Sequence, residues 1–272
     1  MSATLDDLQF RALTDKIARE RDFRCDSYKE KCLRRRIAVR MRARAVHTFP
    51  DYAALLDRDA AEWDKLMDAL TINVTKLFRN WETYAAIAER VVPELWKLPT
   101  DAIRVWSAGC SSGEEPYSLA TLFYRHAQSV GALDRVSRVQ VLGTDIDRVS
   151  LASAQRATFD EDAFADTPAE IRERYFERGY PAAVLPAIKS MVSLQRRDLL
   201  LEPPPPGEKH LIVCRNVLIY FDRGTQEMLF ERFHGALRPG GILILGKVET
   251  LLGPIRTRFA PIDARERIYR KL

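Results

Sequence analysis

The stretch Arg104–Ala120, RVWSAGCSSGEEPYSLA, does most to limit what this chain can fold into. Ile103, Val105 and Trp106 are apolar and β-prone, Ser107–Gly113 is almost all small residues, and Tyr117–Tyr124 resumes with helical spacing. That pattern predicts a strand that breaks into a tight loop and restarts as a helix. Small residues such as Gly109 let a ligand lie against the backbone, and the unpaired N–H groups of the following helix face the same space. Neither GxGxxG nor GxxxxGK[ST] is present, so the loop meets neither the dinucleotide nor the P-loop pattern. Glu114 and Glu115 stand where a phosphate would have to sit. A helix start carrying two acids repels anions and suits an amino or sulfonium charge, which points toward S-adenosylmethionine. Either acid alone could instead simply complement the helix dipole.

Charge is spread unevenly. Residues 1–80 hold 17 Lys and Arg against 13 Asp and Glu, most of the chain's net +5. The excess lies in Lys29–Arg44, KEKCLRRRIAVRMRAR, where Leu33, Ile37 and Met41 recur every four residues as the buried stripe of a helix. Arg36, Arg40 and Arg44 line up beside that stripe, while Arg34, Arg35 and Arg42 project elsewhere. Such a helix is either a solvated basic face or a docking face for an acidic partner. No zinc-finger or RNP-type pattern accompanies the charge, which disfavours nucleic acid. Cys25, Cys32, Cys110 and Cys214 form no CxxC pair and read as reduced thiols. No apolar run approaches a membrane span, and the opening MSATLDDLQF lacks a signal-peptide pattern, so a cytoplasmic protein is expected.

Taken in order, the chain predicts helices over Leu5–Glu20, Ser27–Ala45, Phe49–Arg58 and Ala60–Leu70. Thr71–Asn80, TINVTKLFRN, follows as an ordered connector whose Asn73, Thr75 and Arg79 are types that bind a ligand or a carboxylate. Asn80 is expected to cap a helix running to about Trp96. Val139–Leu142 is a second strand ending in GTDID. Asp145 at its tip is the candidate for a ribose diol, and Asp147 is the helix cap. Between Thr158 and Gln195 the alternation breaks, with a short helix over Pro168–Arg178 and a hairpin expected from Val184–Ile188 and Met191–Leu194. Pro203–Pro206 is a stiff connector. His210–Cys214 is a buried strand whose exit, CRNVLIYFD, puts Arg215, Asn216 and Tyr220 at the edge where open parallel sheets gather ligands. Thr225–Leu237 is an amphipathic helix. Ile242–Leu245 and a terminal strand over Arg267–Arg270 complete the sheet.

Together TINVTKLFR, WSAGCSSGEEPYSLA, GTDID, RDLL, CRNVLIYFD and RPGGILILG resemble, in order and spacing, the CheR-type chemotaxis receptor methyltransferases. The resemblance runs over most of the chain, including the basic helical N-terminus. It implies a class I S-adenosylmethionine-dependent methyltransferase fold, an α/β, Rossmann-like, doubly wound and mostly parallel sheet. A small antiparallel β-subdomain is inserted, and an all-α domain precedes it. The expected divisions are a receptor-docking domain over 1–70, a connector over 71–98 and a methyltransferase domain over 99–272, with the insert at about 158–197. The implied reaction moves a methyl group from S-adenosylmethionine to glutamate side chains of chemoreceptor cytoplasmic helices.

Carried onto this sequence, the resemblance puts Asn73, Thr75, Arg79 and Gly109 at the cofactor. Glu115 or its neighbour Glu114 takes the methionine end, Asp145 the ribose, and Asp198 and Leu199 the adenine. Asn216 with Arg215 closes the pocket. Arg79 and Tyr220 are the catalytic candidates, and Arg34, Arg35, Arg36, Arg40 and Arg44 the docking ones. Leu77 replaces the first of two family phenylalanines, Asp198 stands where some members have Asn, and Lys247-Val248 replaces His-Ser before Glu249. The insert between Gly179 and Val192 is short for members that tether to a receptor's C-terminal pentapeptide, so no tether is expected. Asn80–Tyr84, NWETY, nearly spells such a pentapeptide and is read as coincidence. An ionised glutamate needs no general base, and a sulfonium methyl needs no metal. A monomer is expected. The alternatives are a methyltransferase of another protein or an S-adenosylmethionine-binding sensor.

Overall fold

The computed structural model describes residues 4–71 and 74–272. It forms two compact units. One runs over Met1–Asn73 and takes in Tyr220–Thr225; the other holds Val74–Ile219 and Gln226–Leu272. No helix among the described residues is long and apolar enough to cross a membrane.

The first unit is helical: α1 (Leu5–Arg21), α2 (Glu30–Ala43), α3 (Phe49–Leu56) and α4 (Ala60–Leu70). Local chemistry sets the starts. Thr4 and Asp7 form a capping box, Thr48 caps α3 with Pro50 in its first turn, and Asp59 caps α4. The expected stripe of Leu33, Ile37 and Met41 is buried, packed with Phe10, Leu13, Ile17, Tyr52 and Leu66. Burying each such side chain contributes about 1.5–3 kcal/mol.

Under this core lies a carboxylate with no solvent exposure, Glu62. Arg40 donates to both its oxygens at 3.0 and 2.8 Å, Arg44 donates at 2.9 Å and the Tyr52 hydroxyl at 2.7 Å. Burial pushes the Glu62 carboxyl up, but these donors outweigh it and hold it below the usual range. The segment Tyr220–Thr225 belongs here by its bonds. The Lys29 N–H donates to the Tyr220 carbonyl at 2.9 Å, and the Asp222 N–H donates to that of Ser27 at 3.0 Å. Phe221 packs edge-on against Tyr28, which stacks on Phe23.

The second unit begins with α5 (Trp81–Ala86) and α6 (Val92–Trp96), joined by a wide helical turn over Ile87–Val91. Pro93 has no N–H for an intrahelical bond, which accounts for an interruption where the sequence predicts one helix. Then come β1 (Ile103–Ala108), α7 (Glu114–Ser129), β2 (Val139–Asp145), α8 (Arg148–Arg156), β3 (Thr158–Phe159), α9 (Ala169–Tyr175), β4 (Ala182–Ala183) and α10 (Pro186–Lys189). The chain closes with β5 (Val192–Arg196), β6 (Lys209–Cys214), α11 (Arg223–Ala236), β7 (Leu237–Leu245), β8 (Phe259–Asp263) and β9 (Ile268–Lys271).

The large sheet has the order β5-β2-β1-β6-β7-β9-β8. Its strands are parallel except for β9, which runs antiparallel to β7 and β8. The chain winds outward through β2 to β5, then returns to β6 on the other side of β1. The carboxyl ends of β1 and β6 thus flank the switch point where doubly wound sheets place ligands.

One expectation is corrected. Met191–Leu194 is not an arm of a hairpin, because β5 pairs in parallel with β2 at the sheet edge. The antiparallel pair is β3 with β4, and Pro186 turns the Val184–Ile188 stretch into α10. Sequence alternation shows that a strand exists but not which edge it joins.

The substitution Glu62→Gln leaves two arginines facing a neutral amide. It is expected to cost the helical unit about 3 kcal/mol, read as a lower denaturant midpoint. Because the folded carboxyl titrates below its unfolded value, its contribution is present above the unfolded value and is lost as pH falls through the folded one. The Glu62→Gln variant should therefore converge with the parent in acid.

Candidate active site

The loop leaving β1 is shaped by backbone positions that tolerate no side chain. Gly109 has φ +79°, and a Cβ there would lie 2.5 Å from Val217 Cγ2; Gly113 has φ +97°, and its Cβ would meet Ala154 at 2.9 Å. The Gly109 and Cys110 N–H groups both donate to the Thr144 carbonyl, at 2.8 and 2.9 Å, tying the loop to the end of β2. Asp145 completes the tie: its carboxylate accepts from the Ser111 N–H at 2.8 Å and the Asp147 N–H at 2.9 Å. Burial nevertheless raises the Asp145 carboxyl above its ordinary value. Asp147 caps α8 through the Val149 N–H at 2.8 Å, as its sequence position suggests.

Glu114 and Glu115 are both buried but turn to different surroundings. Ser112 Oγ lies 2.9 and 2.8 Å from the two Glu114 oxygens, and the Thr75 side chain also hydrogen-bonds this acid. Glu114, Thr75 and Ser112 line a cavity of about 460 Å³, with Lys76, Arg156 and Asp160 on its wall. Glu115 instead accepts from Ser107 Oγ at 2.8 Å, at the end of β1. Burial pushes its carboxyl up to about 7, opposed by Arg215, Ser107 and Arg79 and reinforced by Glu249. Burial raises Glu114 as well. Neither acid is simply a solvated dipole partner.

Arg215 organises the edge beyond Glu115. Its Nη2 donates to the Arg79 carbonyl at 2.9 Å and to Asn80 Oδ1 at 3.1 Å, and its guanidinium lies 5.3 Å from the Tyr84 ring centroid. The buried Nε has no partner among the described residues. Asn80 is not the side-chain cap the sequence suggests: its amide is held by Arg215, its own φ is +60°, and no capping bond forms. Its backbone N–H donates to Asp166 at 2.9 Å.

Leu77 and Phe78, fully buried, anchor the connector, and Arg79 Nη1 donates to the Val74 carbonyl at 2.7 Å. The Leu77 N–H donates to the Ala163 carbonyl, and that of Phe78 to Ser118 Oγ. Asn73 lies outside the described residues. Asp198 closes its own turn, accepting from the Leu200 N–H at 2.7 Å, and Leu199 lines a narrow cleft beside Trp106 and Arg232. Tyr220 lies in the segment that packs with the helical unit, where the Arg36 guanidinium sits 4.8 Å from its ring centroid.

Sequence reasoning left Glu249 without a role. Its buried carboxylate accepts from the backbone N–H groups of Asn216 at 3.0 Å, Ile219 at 3.3 Å and Gly246 at 2.6 Å. The usable signal was position: Glu249 follows β7 by four residues, at the ligand edge of the sheet.

Most of the expected docking arginines have partners inside the helical unit. Arg34 is taken up by Asp6, Asp7 and Glu30 and lies over the Phe10 ring. Arg40 and Arg44 hold Glu62, and Arg44 also pairs with Asp59. Arg36 donates to the Ala69 and Leu70 carbonyls at the end of α4. Among the described residues, the α2 cations that remain exposed with no ion pair are Lys31, Arg35 and Arg42. Four of the five expected docking charges are thus engaged inside the helical unit.

Two family models divide the chain between them. The model described as "CheR methyltransferase, all-alpha domain" matches residues 8–71, and that described as "CheR methyltransferase, SAM binding domain" matches residues 73–268. A chemotaxis protein methyltransferase of Listeria innocua is 35% identical over 228 residues, covering 84% of each chain. One of Klebsiella aerogenes is 34% identical over 254 residues, covering 90% of this chain and 84% of the relative. An uncharacterised 104.1 kDa protein of Rhodobacter capsulatus is 36% identical over 248 residues, 90% of this chain. This chain spans only 26% of that longer protein. On the agreement of both models with the switch-point sheet and its acidic loop, the chain belongs to the CheR methyltransferase family.

Proposed function

We propose that this protein transfers the methyl group of S-adenosylmethionine to glutamate side chains on the cytoplasmic helices of chemoreceptors, forming methyl esters. The observation that carries the reading is the pair of buried carboxylates, Glu114 and Glu115, opening α7 at the carboxyl edge of the sheet. A phosphate ligand would be repelled by both acids, and an apolar one would leave Glu114 with hydroxyl partners only; a ligand bearing ammonium and sulfonium groups suits the pair. The Listeria and Klebsiella relatives, both chemotaxis protein methyltransferases, support the chemotaxis assignment.

The residues present fit that cofactor. Glu115 and Glu114 would face its cationic end, the unpartnered Arg215 Nε is a donor suited to a carboxylate, and Asp145 would take the ribose. Thr75, Gly109, Asp198, Leu199 and Asn216 would complete the pocket. When bound, S-adenosylmethionine supplies an electrophilic methyl group on a sulfonium. A target glutamate is ionised at pH 7, so the protein need not remove a proton. What remains for these residues is orientation: Arg79 would align the target carboxylate and Tyr220 would shape its approach to the methyl, a proximity effect. The polypeptide is proposed to act in the cytoplasm as a monomer. The two-residue strands β3 and β4 offer little edge for an added peptide strand, in keeping with a protein that uses no pentapeptide tether.

The decisive experiment supplies methyl-labelled S-adenosylmethionine and membranes bearing chemoreceptors. Base-labile label on the receptor band supports the proposal, and cofactor binding without label moves the substrate elsewhere. Arg79→Ala is expected to lower turnover by about 100-fold, the scale of a misaligned reacting pair, with little change in cofactor affinity. Loss of cofactor binding alone would overturn that role. Arg35→Glu should raise KM for the receptor and weaken the salt dependence of methylation while leaving cofactor affinity unchanged.

The Glu115 carboxyl near 7 makes a pH prediction. If only its ionised form receives the cation, affinity rises about tenfold between pH 6 and 8, with a proton released on binding. Calorimetry in buffers of different ionisation heat reads both, and Glu115→Gln should abolish the slope. The unliganded protein has the opposite dependence. This acid titrates higher folded than unfolded, so its contribution to stability is present below the unfolded value and is lost as pH rises through about 7.

A further inference from the structure

Glu249 is a buried acid that no step above uses. It is 4% exposed, and no cation pairs with it among the described residues. Its partners are backbone N–H groups from the two loops that leave the neighbouring parallel strands β6 and β7: Asn216 and Ile219 on one side, Gly246 on the other. Where parallel strands end, such N–H groups have no ladder partner, and one carboxylate satisfies three of them at once.

The geometry around it admits little adjustment. A Cβ on Gly246 would lie 2.7 Å from Glu249 Oε2 and 2.9 Å from the Asn216 nitrogen. Asn216 itself holds φ +62°, a left-handed conformation that asparagine tolerates better than most residues and that its surroundings impose here. The bond from the Asn216 N–H to Glu249 is part of that imposition. The Asn216 side-chain amide is half-buried at the ligand edge. A partly exposed amide on a backbone held in this way is placed to bond something outside the protein.

We infer that Glu249 is a positioning residue: its carboxylate fixes the backbone of Asn216 so that the Asn216 amide is presented to the cofactor. This rests on the reading of the pocket as the S-adenosylmethionine site. The carboxylate touches neither cofactor nor substrate and acts through Asn216. It differs from a merely structural staple in one respect. A staple would lower stability and leave cofactor affinity alone, whereas a positioning residue loses affinity that the Asn216 side chain would otherwise supply.

A double-mutant cycle on the full chain separates the two, with S-adenosylmethionine affinity read by calorimetry and folding by thermal melting. Asn216→Ala should weaken affinity about fivefold, the worth of one hydrogen bond. Glu249→Gln should weaken it to a similar degree, and the double variant no further. Glu249→Gln puts an amide N–H against three N–H donors, and where that prevents folding Gly246→Ala serves in its place. That substitution crowds the same bonds from a residue with no side chain to offer a ligand, and the same non-additivity is expected. Full affinity in the folded Glu249 and Gly246 variants overturns the inference, as does a loss that adds to that of Asn216→Ala. If the parent protein binds no S-adenosylmethionine, the cofactor reading itself fails; binding by the parent with an additive cycle overturns the positioning role alone.

Discussion

The catalytic unit depends on one buried cation. Arg215, at the exit of β6, donates to the connector carbonyl of Arg79 and to the Asn80 amide, lies against Tyr84 and acts electrostatically on Glu115. A guanidinium with so little access to water requires compensating negative or lone-pair partners. Those partners come from the connector and α7, elements far apart in the chain. Satisfying Arg215 therefore brings together the segments that carry Thr75, Arg79 and Glu115. The same charge tempers the burial of Glu115, leaving its carboxyl at about 7.

The acids around Arg215 have divided duties that the sequence does not separate. Glu114 and Glu115 are adjacent, and the roughly 100° step between neighbouring helix positions turns them to different neighbours. One meets Ser112 and an open cavity; the other meets Ser107 and the sheet end. Glu249 supplies a third carboxylate that binds only backbone donors. The helical unit treats arginine similarly. Its basic helix looks like an exposed charged face in sequence, yet Arg34, Arg36, Arg40 and Arg44 close internal contacts. This leaves a smaller exposed set of Lys31, Arg35 and Arg42. The run Asn80–Tyr84 receives a structural account as well: Thr83 and Tyr84 are buried, with the Thr83 hydroxyl donating to Glu266 at 2.6 Å.

The sequence by itself determined the elements whose cause is local. Small residues at Ser107–Gly113 break the first strand because Gly109 and Gly113 must take positive φ, and Leu33, Ile37 and Met41 mark a helix face by spacing alone. Asp147 caps α8 because a cap needs only its own next residues. Tertiary structure decided whatever depends on partners distant in the chain. Val192–Arg196 became a parallel edge strand because β2 presented an open edge, and Asn80 lost its capping role to Arg215. Glu62 became a buried anion because three helices converge on it, and Glu249 came to bridge two loops because two strands end beside it. A side chain's period and propensity are written within a few residues of it. Its charge partner is chosen by desolvation, and desolvation exists only once the chain has folded.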